Sequence, residues 1–532
     1  MKYHNKFISI IVCCWFILST GYAQSGHSGE NIPKDYLSAS FHAGRREALR
    51  KLMSSNSVVA IFAYPTRTFS NDVDYVYHPN PDLYYFSGYK EPEALLLIFK
   101  EIQSDSAGSF NELFFVRRRD SLMEQFTGRR LGIEGVKKSL GFKRVYNSED
   151  FGDFPIALKK MNVIYDILPD TTTDMRNLVY QFILKSSVRP IDKALNEEYM
   201  IIYNYISQKN MKRFLANRKI MYNTVPFKND SLIRQLISRP DSLGLADFKK
   251  NININDSTGS TAYNRFTNQL RGIKTPEEIV LLRKSVWISG KAHAEAMRAV
   301  NPGMSERELE GIMLYVHKKY GAEDEGYPPI IGAGANGCIL HYEENNAMNV
   351  ENQLVLMDVG AMYHGYSADV TRTFPANGHF TNEQRIIYKL VYDAQDEAFK
   401  YCKAGTTFDS LESKTARVLA TGLLKLGLIK EEKEVTKYYP HGMSHHIGLD
   451  VHDNGNYDTL RENMVITVEP GIYIPAGSPV DKKWWNIGVR IEDDVLIGKN
   501  NYELLSASAP RQWQEVEKMI AKKSIFDKGA GH

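Results

Sequence analysis

Cysteine is scarce in this chain, with four in 532 residues, and two of them, Cys13 and Cys14, sit inside an apolar N-terminal run. The other pair, Cys338 and Cys402, could close one bridge at most, which excludes a disulfide framework. Net charge is nearly absent too, since 66 basic residues against 63 acidic ones leave +3. Such a balance gives no electrostatic footprint for nucleic acid or an anionic membrane surface. Beyond the N-terminus no apolar run approaches the roughly 20 residues of a spanning helix, so no stable membrane insertion is expected. Short-period repeats are missing as well. What remains is an ordinary globular composition, 43% hydrophobic and 24% charged, in a chain long enough for large buried cores.

The N-terminus carries Lys2 and Lys6, then the twelve-residue run Phe7 to Leu18 (FISIIVCCWFIL), then Gly21-Tyr22-Ala23. That is the three-part layout of a secretory signal. Residues 1–23 are expected to be removed and the mature chain to be exported, periplasmic or secreted. Residues 36–185 alternate helical patterns with short apolar runs, an α/β domain. Residues 186–268 turn polar and Asn/Lys/Ser-rich, with amphipathic patterns at 195–210 and 231–238 and a soft stretch at 251–264; they read as a partly helical linker or insert. A second domain, 269–510, opens on a helix start in which Thr275 is N-cap, Pro276 the first helical residue and Glu278 the partner of a capping box. Long helices at 279–300, 305–320, 381–403 and 407–427 then alternate with antiparallel strand pairs. The fold class is therefore α+β.

Three patterns resemble active-site motifs and fail on their own chemistry. Gly332-Ala333-Gly334-Ala335-Asn336-Gly337 matches a dinucleotide fingerprint, but strand-like sequence through Cys338 to Tyr342 follows where a helix should open. In that run Cys338 reads as a small buried hydrophobe. His441 and His445 are spaced like a helical zinc pair, yet Gly442 stands where the general base belongs. Ser444 has His446 where a nucleophile elbow needs its second glycine.

The informative residues are acidic. Asp358 lies in LVLMDVG and Asp369 in YSADVTRT; a turn centred on Tyr363-His364 would set the two directly opposite across a hairpin. Glu469 in VITVEPGIYI and Glu492 in GVRIEDDVLI are mirrored about Val480-Asp481 in the same way. Like charges facing one another destabilise a sheet, and burying them costs several kcal/mol each unless a cation compensates. Between the two pairs lies YPHGMSHHIGLDVHD, dense in imidazoles and bounded by glycines. Any one of these residues alone is better read as a solvated strand carboxylate or a hydrogen-bonded core histidine. Together they point to a dinuclear metal site. Oxygen-rich ligation with one imidazole suits Mn²⁺, with Co²⁺, Zn²⁺ or Fe²⁺ as alternatives.

At these residues the chain resembles the metallopeptidase family of methionine aminopeptidase, prolidase and aminopeptidase P, and within it the aminopeptidase P branch. The strings RRLGIEG, HPNPDLYYFSGYKEPEALLLIF, RGIKTPEEI, HGMSHHIGLDVHD, VEPGIY and GVRIEDD carry the resemblance. It implies a pita-bread catalytic domain, a curved antiparallel sheet covered by helices, behind a smaller α/β domain, and a homo-oligomer. Asp369 and Glu492 would bridge two metals, Asp358 would chelate one, and His445 with Glu469 would complete the other. His341 and His452 would lie beside the scissile carbonyl. His441 would line the pocket for the residue after the cleaved bond, and Arg490 would hold the bridging carboxylate unless it is a plain strand-surface arginine. His446 is not counted as a ligand.

The expected mechanism follows from the charges. Two divalent ions acidify a bridging water so that hydroxide is available near neutral pH, and Glu469 shuttles the proton toward the leaving nitrogen. The expected substrates are peptides with proline in second position, whose bond is a tertiary amide lacking an N–H. A prolidase that cleaves only dipeptides is the alternative on the same site. A noncatalytic binding protein is the alternative of another class, opposed by the presence of all five ligands.

Overall fold

The computed structural model describes residues 35–166, 168–170, 173–186, 231–239, 242–251 and 259–526. The expected signal segment and the amphipathic pattern at 195–210 lie outside the described residues. The first layer begins with helix α1 (Ala39–Leu52), started by Ser38, whose hydroxyl accepts from the Phe41 amide. Strand β1 (Ser57–Phe62, SVVAIF) is buried throughout because it lies inside a five-stranded mixed sheet. It pairs antiparallel with β2 (Leu95–Asp105) and parallel with β5 (Asn162–Tyr165); β2 pairs with β3 (Gly108–Val116), and β3 runs parallel to β4 (Val145–Asn147). Between β1 and β2 the short helix α2 (Pro81–Ser87) is opened by Asn80, which accepts from the Asp82 and Leu83 amides, and closed by Gly88 at φ 77°.

The connector differs from the sequence reading. The polar stretch 251–264 runs into helix α3 (Gly259–Arg271), which buries Ala262, Tyr263, Phe266, Thr267 and Arg271 at helical spacing. That buried face overrides a composition of Ser, Thr and Asn that favours turns. The second domain opens on α4 (Pro276–Ala299), with the Thr275/Glu278 capping box formed in both directions. α5 (Glu306–Lys319) has the same device in Ser305 and Glu308.

Behind these helices lie short antiparallel sheets. β7 (Leu354–Val359) is flanked by β6 (Ile330–Ala333) and β10 (Val370–Pro375), and β8 (Ala361–Tyr363) forms a hairpin with β9 (Tyr366–Ser367). β11 (Val465–Val468) pairs with β14 (Asp493–Ile497), and β12 (Gly471–Ile474) with β13 (Ile487–Arg490). Helices α6 (Asn382–Phe399) and α7 (Phe408–Lys425) bury Ile387, Val391, Leu419 and Leu423 in the same core.

Two local expectations are corrected. The hairpin turn centres on His364 and Gly365, at φ 52° and 86°, a two-residue turn with both central residues left-handed. Asp358 therefore pairs with Thr371, and Asp369 is offset from it by two residues. An offset of two keeps both carboxylates on one face of the sheet. Cys338 to Tyr342 is no strand: a 3₁₀ turn covers Asn336–Cys338, the chain turns again through His341, and Cys338 is only half-buried. The second expected register holds, because the pairings Val468 with Asp493 and Gly471 with Arg490 place Glu469 opposite Glu492.

Candidate metal centre

The strand ends deliver the acidic groups. Asp358 sits at the end of β7, Asp369 just before β10, Glu469 just after β11 and Glu492 between β13 and β14. The loop carrying His445 is zippered along β11: the Thr467 amide donates to the His445 carbonyl at 2.9 Å, the Glu469 amide to Met443 at 2.9 Å, and His446 bridges Ile466. That pairing fixes His445 beside Glu469. Its Nδ1 lies 3.0 Å from the His446 carbonyl, an oxygen that can only accept, so Nδ1 carries a proton and Nε2 points at the carboxylates. Nε2 stands 3.4 Å from Asp369 Oδ2 and 3.4 Å from Glu469 Oε1.

Asp369, His445 and Glu492 offer ligand atoms that all lie within 4.8 Å of one another. Asp358, Asp369 and Glu492 are buried; Arg490 reaches in to Asp358 and Glu492, and His445 faces Asp369. The crowding registers in their acidities. Burial and the neighbouring Asp369, Glu469 and Asp358 charges push Glu492 well above the usual carboxylate range. Burial and the Asp369 charge lift Glu469 to about 7 against the pull of His445. Burial would raise Asp358 as well, but the Arg490 guanidinium and a Tyr327 hydrogen bond hold it below its ordinary value. Burial would lower His445, but Asp369 and Glu469 raise it to about 9. Four carboxylates around one imidazole with its second nitrogen turned inward are a donor set short of positive charge, and they fit divalent ions.

All the residues singled out in the sequence, Asp358, Asp369, Glu469, Glu492, His445, Arg490, His341, His441 and His452, line one cleft of about 530 Å³. His452 is exposed on the cleft wall, its ring edge-on to His445 at 4.4 Å. His341 is also exposed. His441 lies against Tyr439 and Tyr473, with Nε2 2.8 Å from the Tyr473 hydroxyl. Burial and Arg490 depress its imidazole to about 4. His446 turns away from the cleft, its Nε2 3.1 Å from the Asn456 carbonyl.

Arg490 is buried and far from a strand-surface position. It donates to Asp358 at 2.5 Å and lies 4.0 Å from Glu492, so its direct partner is the carboxylate expected to chelate a single metal. Glu492 accepts instead from the Thr371 hydroxyl at 2.6 Å, and Thr371 also accepts from Arg490 Nε at 3.0 Å. Sequence reasoning missed Thr371, as it missed Tyr327, whose hydroxyl lies 2.5 Å from Asp358 and 2.6 Å from Asp369. It also missed Asp494, which accepts from the Asp369 amide at 2.9 Å. Asp494 stands two residues after Glu492 in the string IEDD, and that spacing along an extended chain was the available signal; for Tyr327, ahead of two prolines, there was none.

A cleft floored by carboxylates and one imidazole, with further imidazoles on its walls, is that of a metal-dependent hydrolase. Comparison with known proteins narrows the class. The description "Metallopeptidase family M24" matches residues 280–499, and "Aminopeptidase P, N-terminal domain" matches residues 42–165. The chain is 33% identical to the Xaa-Pro aminopeptidase of Escherichia coli (strain K12), over 90% of this chain and 96% of that protein. It is 27% identical to human Xaa-Pro aminopeptidase 3, over 88% of this chain and 82% of that one. Among solved structures, E. coli aminopeptidase P with the inhibitor Pro-Leu superposes with a TM-score of 0.71 at 31% identity, covering 91% of this chain and 98% of that one. Proline aminopeptidase P II from Yersinia pestis gives 0.72 at 30%, covering 91% and 100%. The chain belongs to metallopeptidase family M24, in its aminopeptidase P branch, with a pita-bread catalytic fold behind a smaller α/β domain.

Proposed function

We propose that this protein removes the first residue from peptides with proline in second position. The observation that carries the reading is a match to Xaa-Pro aminopeptidases over 90% of a chain whose cleft gathers the whole expected ligand set. Asp369 and Glu492 would bridge two divalent ions, with Asp358 on one side and His445 with Glu469 on the other. The donor chemistry favours Mn²⁺. When bound, the ions supply Lewis acidity and a water acidified toward neutral pH.

The chain's own residues do the remaining work. Glu469 takes the proton of the attacking water and returns it to the leaving nitrogen, a role that suits a carboxyl whose affinity for protons is raised. His452 and His341, on the cleft wall, donate to the carbonyl oxygen as it gains charge. His441, kept neutral between Tyr439 and Tyr473, offers an aromatic wall to a pyrrolidine ring. An Xaa-Pro bond has no N–H to bind, so a fitted ring pocket replaces that handle.

The competing prolidase reading differs in what lies beyond the proline. Arg-Pro-Pro should lose its arginine, the same peptide with a blocked amino terminus should survive, and an internal Xaa-Pro bond should stay intact. A preparation that splits Xaa-Pro dipeptides and leaves the tripeptide whole would overturn the assignment in favour of prolidase. Export is proposed on the Lys2-to-Ala23 layout, with Gln24 as the mature N-terminus; mass analysis of native protein that retains Met1 to Ala23 would contradict it. A homo-oligomer carries over from the family resemblance and is read by analytical ultracentrifugation.

A further inference from the structure

Next to His452 the chain gathers a cluster of charges, buried except for the half-exposed Asp450, that the proposed chemistry does not use. Arg271, the last residue of α3, is 2% exposed and reaches three carboxylates. Its Nη1 donates to Asp82 in α2 at 2.8 Å; its Nη2 donates to Asp450 at 2.7 Å and also to Asp453. Lys274, also 2% exposed, donates to the second Asp453 oxygen at 2.5 Å and to the Arg271 carbonyl at 2.6 Å. Tyr263 closes the cluster by donating to Asp82 at 2.9 Å. Asp453 further accepts from the Asn454 amide at 2.9 Å, and its own amide donates to the His446 carbonyl at 2.9 Å.

Two features show that the surrounding loop is shaped to this cluster. A Cβ on Gly448 would collide with the Asp453 carboxylate and meet Lys274 Nζ at 2.7 Å, and a Cβ on Gly455 would collide with the His446 ring. The Gly448 carbonyl in turn accepts from the Ser367 amide at 2.7 Å, two residues from Asp369. A buried charge network of this kind contributes little net stability compared with apolar packing. What it supplies is a fixed geometry, because each carboxylate has only a few satisfied positions. The two carboxylates gripped on the loop are Asp450 and Asp453, and His452 lies between them.

We infer that Arg271, Lys274 and Asp453 are positioning residues for His452, through which the N-terminal domain and the connector hold the cleft-wall imidazole in place. The inference rests on the reading of His452 as a carbonyl-oxygen donor. Asp82 anchors Arg271 from the side of the first domain, and Tyr263, on the same helix as Arg271, holds Asp82, so that domain takes part in turnover without entering the cleft. The clamp acts on the transition state more than on substrate binding, and its loss should fall on kcat.

A double-mutant cycle with metal-loaded full-length protein and Arg-Pro-Pro tests this. Asp453→Asn should lower kcat roughly ten- to a hundredfold with KM nearly unchanged, and Arg271→Lys, which keeps the charge and loses the fork, should lower it by roughly three- to tenfold. In a His452→Ala background neither change should cost anything further, because its target is gone. Metal content should stay at wild-type level, and hydrogen exchange across residues 446–456 should speed up in both variants. If Asp453→Asn does not accumulate folded, Arg271→Lys carries the same cycle. Losses of equal size with and without His452 would overturn the clamp while leaving His452 in its role. Undiminished kcat in His452→Ala alone would overturn the reading of His452, and the inference with it.

Discussion

At the scale of single residues, the site depends on carboxylates that the folded chain cannot neutralise by itself. Asp369 and Glu492 are buried at 5% and 2% exposure, and each lies beside other acids. Asp369→Asn or Glu492→Gln removes a charge proposed to bridge the metals while keeping the shape. Each should abolish turnover and lower divalent-metal occupancy, as read by elemental analysis beside a peptidase assay. Variants with wild-type activity would contradict the bridging assignment. The wall histidines should divide differently. His452→Ala and His341→Ala should lower kcat by roughly ten- to a thousandfold with metal retained. His441→Ala, next to Tyr473, should act chiefly on KM for proline peptides. The acidic residues of the cleft and the imidazole cluster were legible because their spacing in strands and glycine-bounded loops is local. Tyr327, Thr371 and the partner of Arg490 were not, because their contacts join segments separated by up to 132 positions, and no periodicity records which face will meet which.

At the scale of elements, the hairpin that carries Asp369 depends on its turn. Gly365 has φ 86°, and a Cβ there would meet Tyr84 at 3.2 Å and Leu449 at 3.3 Å. Gly365→Ala should destabilise by about 1–2 kcal/mol, from the left-handed backbone and the tightened contact together. The check is the thermal midpoint, with Gly427→Ala, also left-handed but with nothing within 4 Å, as the comparison that isolates the backbone contribution. The same turn shows where sequence reasoning slipped. Carboxylate spacing alone suggested a turn at Tyr363-His364, but the left-handed pair favours His364-Gly365 and moves the register by two. Cap chemistry was the more dependable guide, as the Thr275/Glu278 box shows. Helix α3 was obscured because its Ser, Thr and Asn residues favour turns, while the surfaces that bury Tyr263 and Phe266 lie elsewhere in the chain.

At the scale of the whole molecule, buried imidazoles tie stability to pH. His42 and His446 are held at about 4 and His293 at about 3, in each case chiefly by burial. An unfolded imidazole titrates near 6.5, so the unfolded chain binds these protons first as pH falls. The stability they contribute is fully present above about pH 6.5 and is lost toward pH 4. His445 in the metal-free protein runs the other way, contributing below about 6.5 and losing that contribution as pH rises through about 9. His42 does not line the cleft and makes a clean test. His42→Asn keeps a donor for the Tyr85 carbonyl and removes the titration. Between pH 6.5 and 4 its stability should fall less steeply than wild type, by about 1.4 kcal/mol per pH unit. Parallel denaturation curves for the two proteins across that range would contradict the assignment.

The central claim joins the metal centre to the bond it cleaves, and one titration tests both. Protein stripped with a chelator and reloaded stepwise with Mn²⁺ is assayed for release of arginine from Arg-Pro-Pro. The predicted result is no release from stripped protein, then a rate that rises with added metal and levels off at about two ions per chain. Full release of arginine by metal-free protein, or reloaded protein that cleaves Arg-Pro and leaves Arg-Pro-Pro intact, would contradict the account.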